Sequence, residues 1–527
     1  MTRNKNGGIK AMLAVFIAMF VLLAGYLVYI IDVYGAYWFA SPYNTRVTKQ
    51  KNAVIAGSIS DRRGVTLAES DSYGARHYST NDEIRLSCAH AVGDSSNQTL
   101  GAQALLSKYL LGFEQKTGDR LSYLFSDEKR HGDNVSLTID AQLNRYAYSL
   151  LESNAGAVLV MNYKTGEVLC MTGSPAFDPE KMEAYLSGDE PLADGAMVNR
   201  ATMGRYTPGS TFKLITAVAA LRYLPDAENR VFVCDGPLAF DAASGKQVSL
   251  AEAVDSDGNV KEGYALLKDF EDEVHGEITL SEAIKHSCNH TFACIALEIG
   301  ADRLTKTAES LGIGGEYAFS ELVAYCGSME KPTTDFELAW SGVGQHKDII
   351  TPVQLCMLTA GIANGGVAME PKICLSVSDK SGNIQKRLTS EEYKELFRGN
   401  EAEFLAEAMR GVVTGGTGKN AAVDGLSVCG KTGTAEVSSS GKFKPHAWFT
   451  GFVADAAHPY AITVIIENGG GGGKTGTAET GWVEEGTALV QSWFAGFFPA
   501  ENPEYVVVVL AENEGFGNNT AAPVFAA

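Results

Sequence analysis

Residues Ala11 to Ile31 form a run of 21 residues without one charged side chain. At 1.5 Å per residue a helix of that length reaches across a bilayer core of about 30 Å, and a lone segment in hydrocarbon satisfies its backbone only as a helix. Arg3, Lys5 and Lys10 precede the run and Asp32 follows it. By the positive-inside rule this predicts a cytoplasmic N-terminal tail and an extracytoplasmic remainder. A cleaved signal peptide would have an apolar region of about 7 to 15 residues ending in a small-x-small site, and the run fits neither requirement well. The expectation is a single-pass protein of the cell membrane, with a tail over 1–10, an anchor over 11–31 and a large exported part.

Composition narrows what that part can be. The 527 residues allow two to four domains, and 45% hydrophobic with 20% charged residues is the mixture of a folded protein. With 63 acidic against 43 basic residues the net charge is −20, which argues against nucleic acid as a partner. The nine cysteines (Cys88, Cys170, Cys234, Cys288, Cys294, Cys326, Cys356, Cys374 and Cys429) show neither CxxC nor Cys/His spacing. Spacing therefore indicates no zinc or redox site and no cofactor, and most of these residues read as small buried side chains.

Along the exported part, 32–133 mixes short strand-like pieces with turns such as Gly57 to Gly64, and the charge-dense stretch Ser126 to Asp133 reads as a surface linker. Asn134 to Ile139 alternates like a strand, and Asp140 is a suitable N-cap for a helix through Leu151. Gly156 to Met161 and Glu167 to Met171 are apolar runs joined as a hairpin. Helical patterns follow at Thr211 to Leu221, Leu280 to Lys285, Thr291 to Ile299, Pro352 to Ala363 and Glu401 to Val412. The end returns to strands, with one hairpin at Trp448 to Val453 and Tyr460 to Glu467 and another at Trp493 to Phe498 and Tyr505 to Glu512. This order predicts an α+β fold in which helices cover an antiparallel sheet.

A serine can be activated by a lysine one helical turn away. Ser-x-x-Lys occurs at Ser126, Ser210, Ser328 and Ser439, but only Ser210 follows Thr207-Pro208-Gly209 and opens an apolar helix. There its hydroxyl and N–H would sit at the positive helix end, and a dry environment would let Lys213 act as a base. Alone the motif is better explained by a Ser N-cap and a solvated lysine. Ser-x-Asn at Ser287/Asn289, between two helices, and Lys-Thr-Gly at Lys431, ahead of strands, complete the order SxxK, SxN, KTG.

With these motifs the sequence resembles the penicillin-binding proteins and serine β-lactamases. Tyr206 to Lys213, His286 to Asn289, Gly344-Gln345 followed by Thr351-Pro352, and Gly430 to Glu436 with Ala447-Trp448-Phe449 are similar to the transpeptidase domain of monofunctional, class B penicillin-binding proteins. Gly57 to Gly64 resembles the start of the pedestal domain that precedes it. The resemblance implies an α+β transpeptidase fold over 134–473 behind a pedestal or dimerisation-like domain over 32–133. It implies D,D-transpeptidase chemistry on peptidoglycan stem peptides, with Ser210 as nucleophile, Lys213 as its base and Ser287 as proton relay. Asn289, Lys431, Thr432, Gly433 and Thr434 would bind substrate, β-lactams would acylate Ser210, and a membrane glycan polymerase would be a partner. A D,D-carboxypeptidase, a β-lactamase or an inactive penicillin-binding scaffold would share the fold.

The chain departs from that pattern at its end. Lys431-Thr432-Gly433-Thr434-Ala435-Glu436 recurs as Lys474-Thr475-Gly476-Thr477-Ala478-Glu479, and Trp448-Phe449 recurs as Trp493-Phe494 after the Gly469 to Gly473 run. Residues 474–527 thus read as a second copy of the KTG strand segment, and only one copy can line the cleft. The expectation is the Lys431 copy, which follows closely on the helix at Glu401 to Val412.

Overall fold

The computed structural model describes residues 6–40, 45–115, 129–151, 154–319, 321–436, 444–469, 477–484, 487–498 and 505–511. The motif copies at Ser126, Ser439 and Lys474 lie outside these residues, as does the Gly470 to Gly473 part of the glycine run.

Helix α1, Asn6–Ala40, contains the apolar run and continues past Asp32. Between Lys10 and Tyr29 its side chains are exposed, with Phe20 at 74% and Leu22 at 73%, as a helix surrounded by lipid would require. Among the described residues it is the one helix long and apolar enough to cross a membrane.

A mixed six-stranded sheet follows, in the order Ile384–Arg387, Cys374–Ser378, Asn134–Leu137, Ile59–Ser60, Thr66–Ser70, Arg76–Tyr78. Strands from either side of residue 133 therefore share one sheet. The buried Asp61 carboxylate organises the turn after Ile59–Ser60, accepting from the N–H groups of Arg63, Val65 and, across the junction, Ala141.

The larger unit is built on a five-stranded antiparallel sheet. Its strands are β1 (Gly156–Asn162), β2 (Val168–Ser174), β3 (Val428–Ala435), β4 (His446–Val453) and β5 (Tyr460–Ile466), in the spatial order β3-β4-β5-β1-β2. Alternate residues of β1 enter different cores: Ala157, Leu159 and Met161 join the main one, Val158 and Val160 the smaller one beneath α2 (Ala141–Leu151). Burial on both faces explains why the run reads as continuously apolar. Asp140 caps α2 by accepting from the Gln142 and Leu143 N–H groups.

Helices cover the main face. They are α3 (Lys213–Tyr223), α4 (Leu280–His286), α5 (Asn289–Ile299), α6 (Asp335–Gly342), α7 (Pro352–Ala363) and α8 (Gly399–Gly415). Helix α7, buried around nearly its whole girth, lies across β1, β4 and β5, and α8 lies against β3 and α4. The second copy forms its own three-stranded sheet, β6 (Thr477–Glu484), β7 (Thr487–Phe498) and β8 (Tyr505–Ala511). Among the described residues it takes no place in the five-stranded sheet.

Candidate active site

Strand β3 is the free edge of the five-stranded sheet, and the turn that leads into α3 lies against it. That turn, Gly209–Phe212, is a 3-10 helix, so the α-helix begins at Lys213 and not at the expected Thr211. Two glycines permit the approach. Gly209 has φ +55°, a conformation open to residues without a Cβ, and a Cβ there would run into the Thr434 carbonyl oxygen. A Cβ on Gly433 would come within 2.8 Å of Thr211 Cγ2. Behind the turn, Trp448 Nε1 donates to the Thr207 carbonyl at 3.0 Å, and Tyr206 packs edge-on against the Trp448 ring while donating to Glu467. Ser210, at the mouth of this turn, is half-buried.

The loop between α4 and α5 supplies the facing wall. Ser287 closes α4 in the left-handed region, at φ +58°, a strained position for a residue with a Cβ. Cys288 then caps α5. The strain turns both the Ser287 hydroxyl and the Asn289 amide toward two lysines that are completely buried, Lys213 and Lys431. Lys213 Nζ donates to Ser287 O at 2.5 Å, to Asn289 Oδ1 at 2.6 Å and to Ser287 Oγ at 3.2 Å. Lys431 Nζ donates to the same Ser287 Oγ at 2.9 Å and to the Thr432 carbonyl at 2.9 Å. One hydroxyl thus lies in hydrogen-bond reach of two lysine amines, one on α3 and one on β3. The fold joins Lys213, Ser287, Asn289 and Lys431 in one hydrogen-bonded cluster and lays the turn that carries Ser210 against Gly433 and Thr434 of the first KTG copy.

Three features carry no sequence signal of their own. Thr417, just beyond α8, places its hydroxyl 2.9 Å from that of Thr432. The Asp269 carboxylate accepts the N–H of Asn289 and so fixes the start of α5. Gln345 bonds the outer edge of β3, to Thr434 O and from Glu436 N. Only Gln345 lies in a segment that the motif pattern singles out.

Spacing indicates no metal site, yet folding draws four residues with possible ligand atoms together. Cys234, Asp269, His275 and Cys288 hold one ligand atom each within 4.8 Å of one another, beneath the Ser287–Asn289 loop. Cys288 Sγ lies 3.2 Å from Asp269 Oδ2, and His275 Nδ1 lies 3.5 Å from it. Two thiols, an imidazole and a carboxylate are a donor set suited to tetrahedral Zn2+. Burial pushes the pKa of both thiols up. Sequence spacing missed the set because only folding joins residues from a strand, a loop and a helix cap. All nine cysteines are free thiols, and all but Cys294 are buried.

Comparison with known proteins identifies the family. The model of the penicillin binding protein transpeptidase domain matches residues 156–224, 239–473 and, separately, 471–527. The peptidoglycan D,D-transpeptidase PbpA of Mycolicibacterium smegmatis is 28% identical over 375 residues, 68% of this chain and 72% of that protein. Among solved structures, the D,D-transpeptidase domain of a peptidoglycan glycosyltransferase from Eggerthella lenta is 27% identical with a TM-score of 0.64, covering 79% of this chain and 94% of that one. The penicillin G acyl-enzyme of penicillin-binding protein A from M. tuberculosis is 25% identical with a TM-score of 0.67, over 80% and 96%. The family model spans well over half of the residues, and the chain belongs to the penicillin-binding protein transpeptidase family, in its class B branch.

Proposed function

We propose that this chain is a membrane-anchored peptidoglycan D,D-transpeptidase that works through a Ser210 acyl-enzyme and is acylated by β-lactams. The observation that carries the reading is the Ser287 hydroxyl held between Lys213 and Lys431 beside the Ser210 turn. It is supported by the relative named peptidoglycan D,D-transpeptidase and by the penicillin G acyl-enzyme of the M. tuberculosis protein.

Ser210 Oγ gives its proton to neutral Lys213 Nζ and bonds to the carbonyl carbon of the penultimate D-Ala of a stem peptide. The N–H groups of Ser210 and Thr434 hold the oxyanion. As the C–N bond breaks, Ser287 passes its proton to the leaving amine and takes up the one that Lys213 received, and the terminal D-Ala departs. An amine of a second stem peptide then attacks the ester carbon, a cross-link forms, and Ser210 Oγ regains a proton as it leaves. Asn289 holds the donor amide. Lys431, Thr432 and Thr434 hold the terminal carboxylate, and Gly433 lets the strand backbone come close. In this reading 1–10 is cytoplasmic, 11–31 spans the membrane, 32–133 is a pedestal, 134–473 is catalytic and 474–527 is a duplicated segment. The partner is a membrane enzyme that polymerises the glycan.

Labelling with a fluorescent penicillin tests the reading. The parent should label and release the label slowly, and Ser210→Ala should not label. If Ser210→Ala labels as strongly as the parent, the nucleophile is misassigned; rapid release would point to a water-resolved reaction instead.

A further inference from the structure

The outer edge of β3 is bonded by side chains. The Thr432 and Thr434 carbonyls, two residues apart and on the same side of the strand, point away from β4, and Lys431 Nζ and Gln345 Nε2 donate to them, each at 2.9 Å. The next group on that side, the N–H of Glu436, donates to Gln345 Oε1 at 3.1 Å. One side-chain amide thus makes both hydrogen bonds that a residue of an added parallel strand would make with this edge. The edge runs past the Ser210 turn, where an extended peptide must lie if its carbonyl is to reach Ser210.

The backbone beneath Gln345 is fixed. Gly344, at φ +79°, turns its carbonyl to accept from Gly209 N–H at 2.9 Å, and Gln345 N–H donates to Trp340 O at 2.9 Å. The side chain is only half-buried, so it can rotate off the edge without any backbone movement. We infer that Gln345 is a displaceable stand-in for the donor strand. It keeps the β3 edge satisfied in the empty site, and a ligand whose amide N–H adjoins the reactive carbonyl takes over its bond to Thr434 O. Gln345 therefore sets a threshold that selects extended peptides, and β-lactams bearing a side-chain amide, over ligands without one. It is a specificity-determining residue, and the inference rests on the acyl-enzyme reading above.

Acylation rates at low ligand concentration test it, measured for penicillin G, which has an acylamino N–H beside the β-lactam carbonyl, and penicillanic acid, which has hydrogen there. Gln345→Ala should raise the penicillin G rate on the order of fivefold, the size of a modest net hydrogen-bond competition removed. The penicillanic acid rate should stay within about a factor of two. An equal change with both ligands, in either direction, or no change with either, would overturn the proposal. Should Gln345→Ala not fold, Gln345→Glu, which cannot donate to Thr434 O, should show the same selectivity. A crystal structure of the parent's penicillin G acyl-enzyme should place the ligand amide on Thr434 O, with Gln345 Nε2 moved off it; Nε2 still bonded there would overturn the proposal. A parent that is not acylated at all fails earlier, and overturns the Ser210 reading instead.

Discussion

Ser287 Oγ accepts from Lys213 and Lys431, but Lys213 is also held by Ser287 O and Asn289 Oδ1. Ser287→Ala therefore removes the hydroxyl and leaves both amines supported. It should lower the penicillin acylation rate by roughly 10²- to 10⁴-fold, the usual range for a lost proton-transfer group, with an unchanged melting temperature; acylation within threefold of the parent would deny the hydroxyl that role. A second residue shows how burial alone sets a charge state. Asp348 is fully buried, accepts from Ser341 Oγ at 3.2 Å and has no hydrogen-bond partner for Oδ2 among the described residues. Burial raises its pKa from 3.8 to about 8. The folded state therefore keeps a proton that the unfolded chain loses near pH 4, so this contribution to stability is complete below pH 4 and is lost as the pH rises toward 8. Asp348→Asn imitates the neutral form. The variant should melt above the parent at pH 8, by a margin on the order of a few kcal/mol, and together with it at pH 4; an equal gap at both would show that ionisation is not the cause. At this scale the motif residues were legible, because their spacing reports local chemistry. Asp269, Thr417 and Asp348 were not, since their environments are made by distant segments.

The elements that sequence pattern located best are those whose neighbours in space are neighbours in the chain. The β1–β2 and β4–β5 hairpins and the Asp140-capped α2 fall where alternation and capping put them. The lead into α3 differs because packing of Gly209 and Gly433 favours a tight 3-10 turn over an α-helical start, a tertiary demand that periodicity does not carry. The α4–α5 connection was legible as a loop, but not as what underlies it. The Cys234, Asp269, His275 and Cys288 donors join the strand at Val231–Cys234 and the loop before α4 to the first turn of α5. Zn2+ there would bind the thiols as thiolates and tether the loop that presents Ser287 and Asn289. Adding Zn2+ to chelator-treated protein should raise its melting temperature and protect two thiols from an alkylating reagent. Cys234→Ala should remove both effects. If Zn2+ shifts neither the melting temperature nor the alkylation of the parent, the four residues are only a hydrogen-bonded cluster.

At the scale of the molecule, duplication poses a choice that neither propensity nor loop entropy decides, because looping out one copy costs only about 0.6 kcal/mol per doubling of loop length. Packing separates the copies. The first supplies β3, β4 and β5, and with them Lys431 on the Ser287 hydroxyl, Trp448 behind the Ser210 turn and Glu467 against Arg200 and Tyr206. Replacing it would mean breaking these contacts and the β5–β1 ladder together. Among the described residues the strands of the second copy pair only with one another, as the β6–β7–β8 sheet, with β6 and β8 at its edges, although β7 and β8 also lie near Lys419–Ala421 and α2. A small sheet of that kind is marginal alone and prone to pair with another chain. A chain ending at Gly473 should therefore bind fluorescent penicillin at the parent's rate and run as a narrower species by light scattering. In the full-length chain Lys431→Ala should abolish labelling, while Lys474→Ala should leave it intact. The reverse pattern, with labelling lost on truncation or on Lys474→Ala in a chain that still melts cooperatively, would put the second copy at the edge of the cleft and the first outside it.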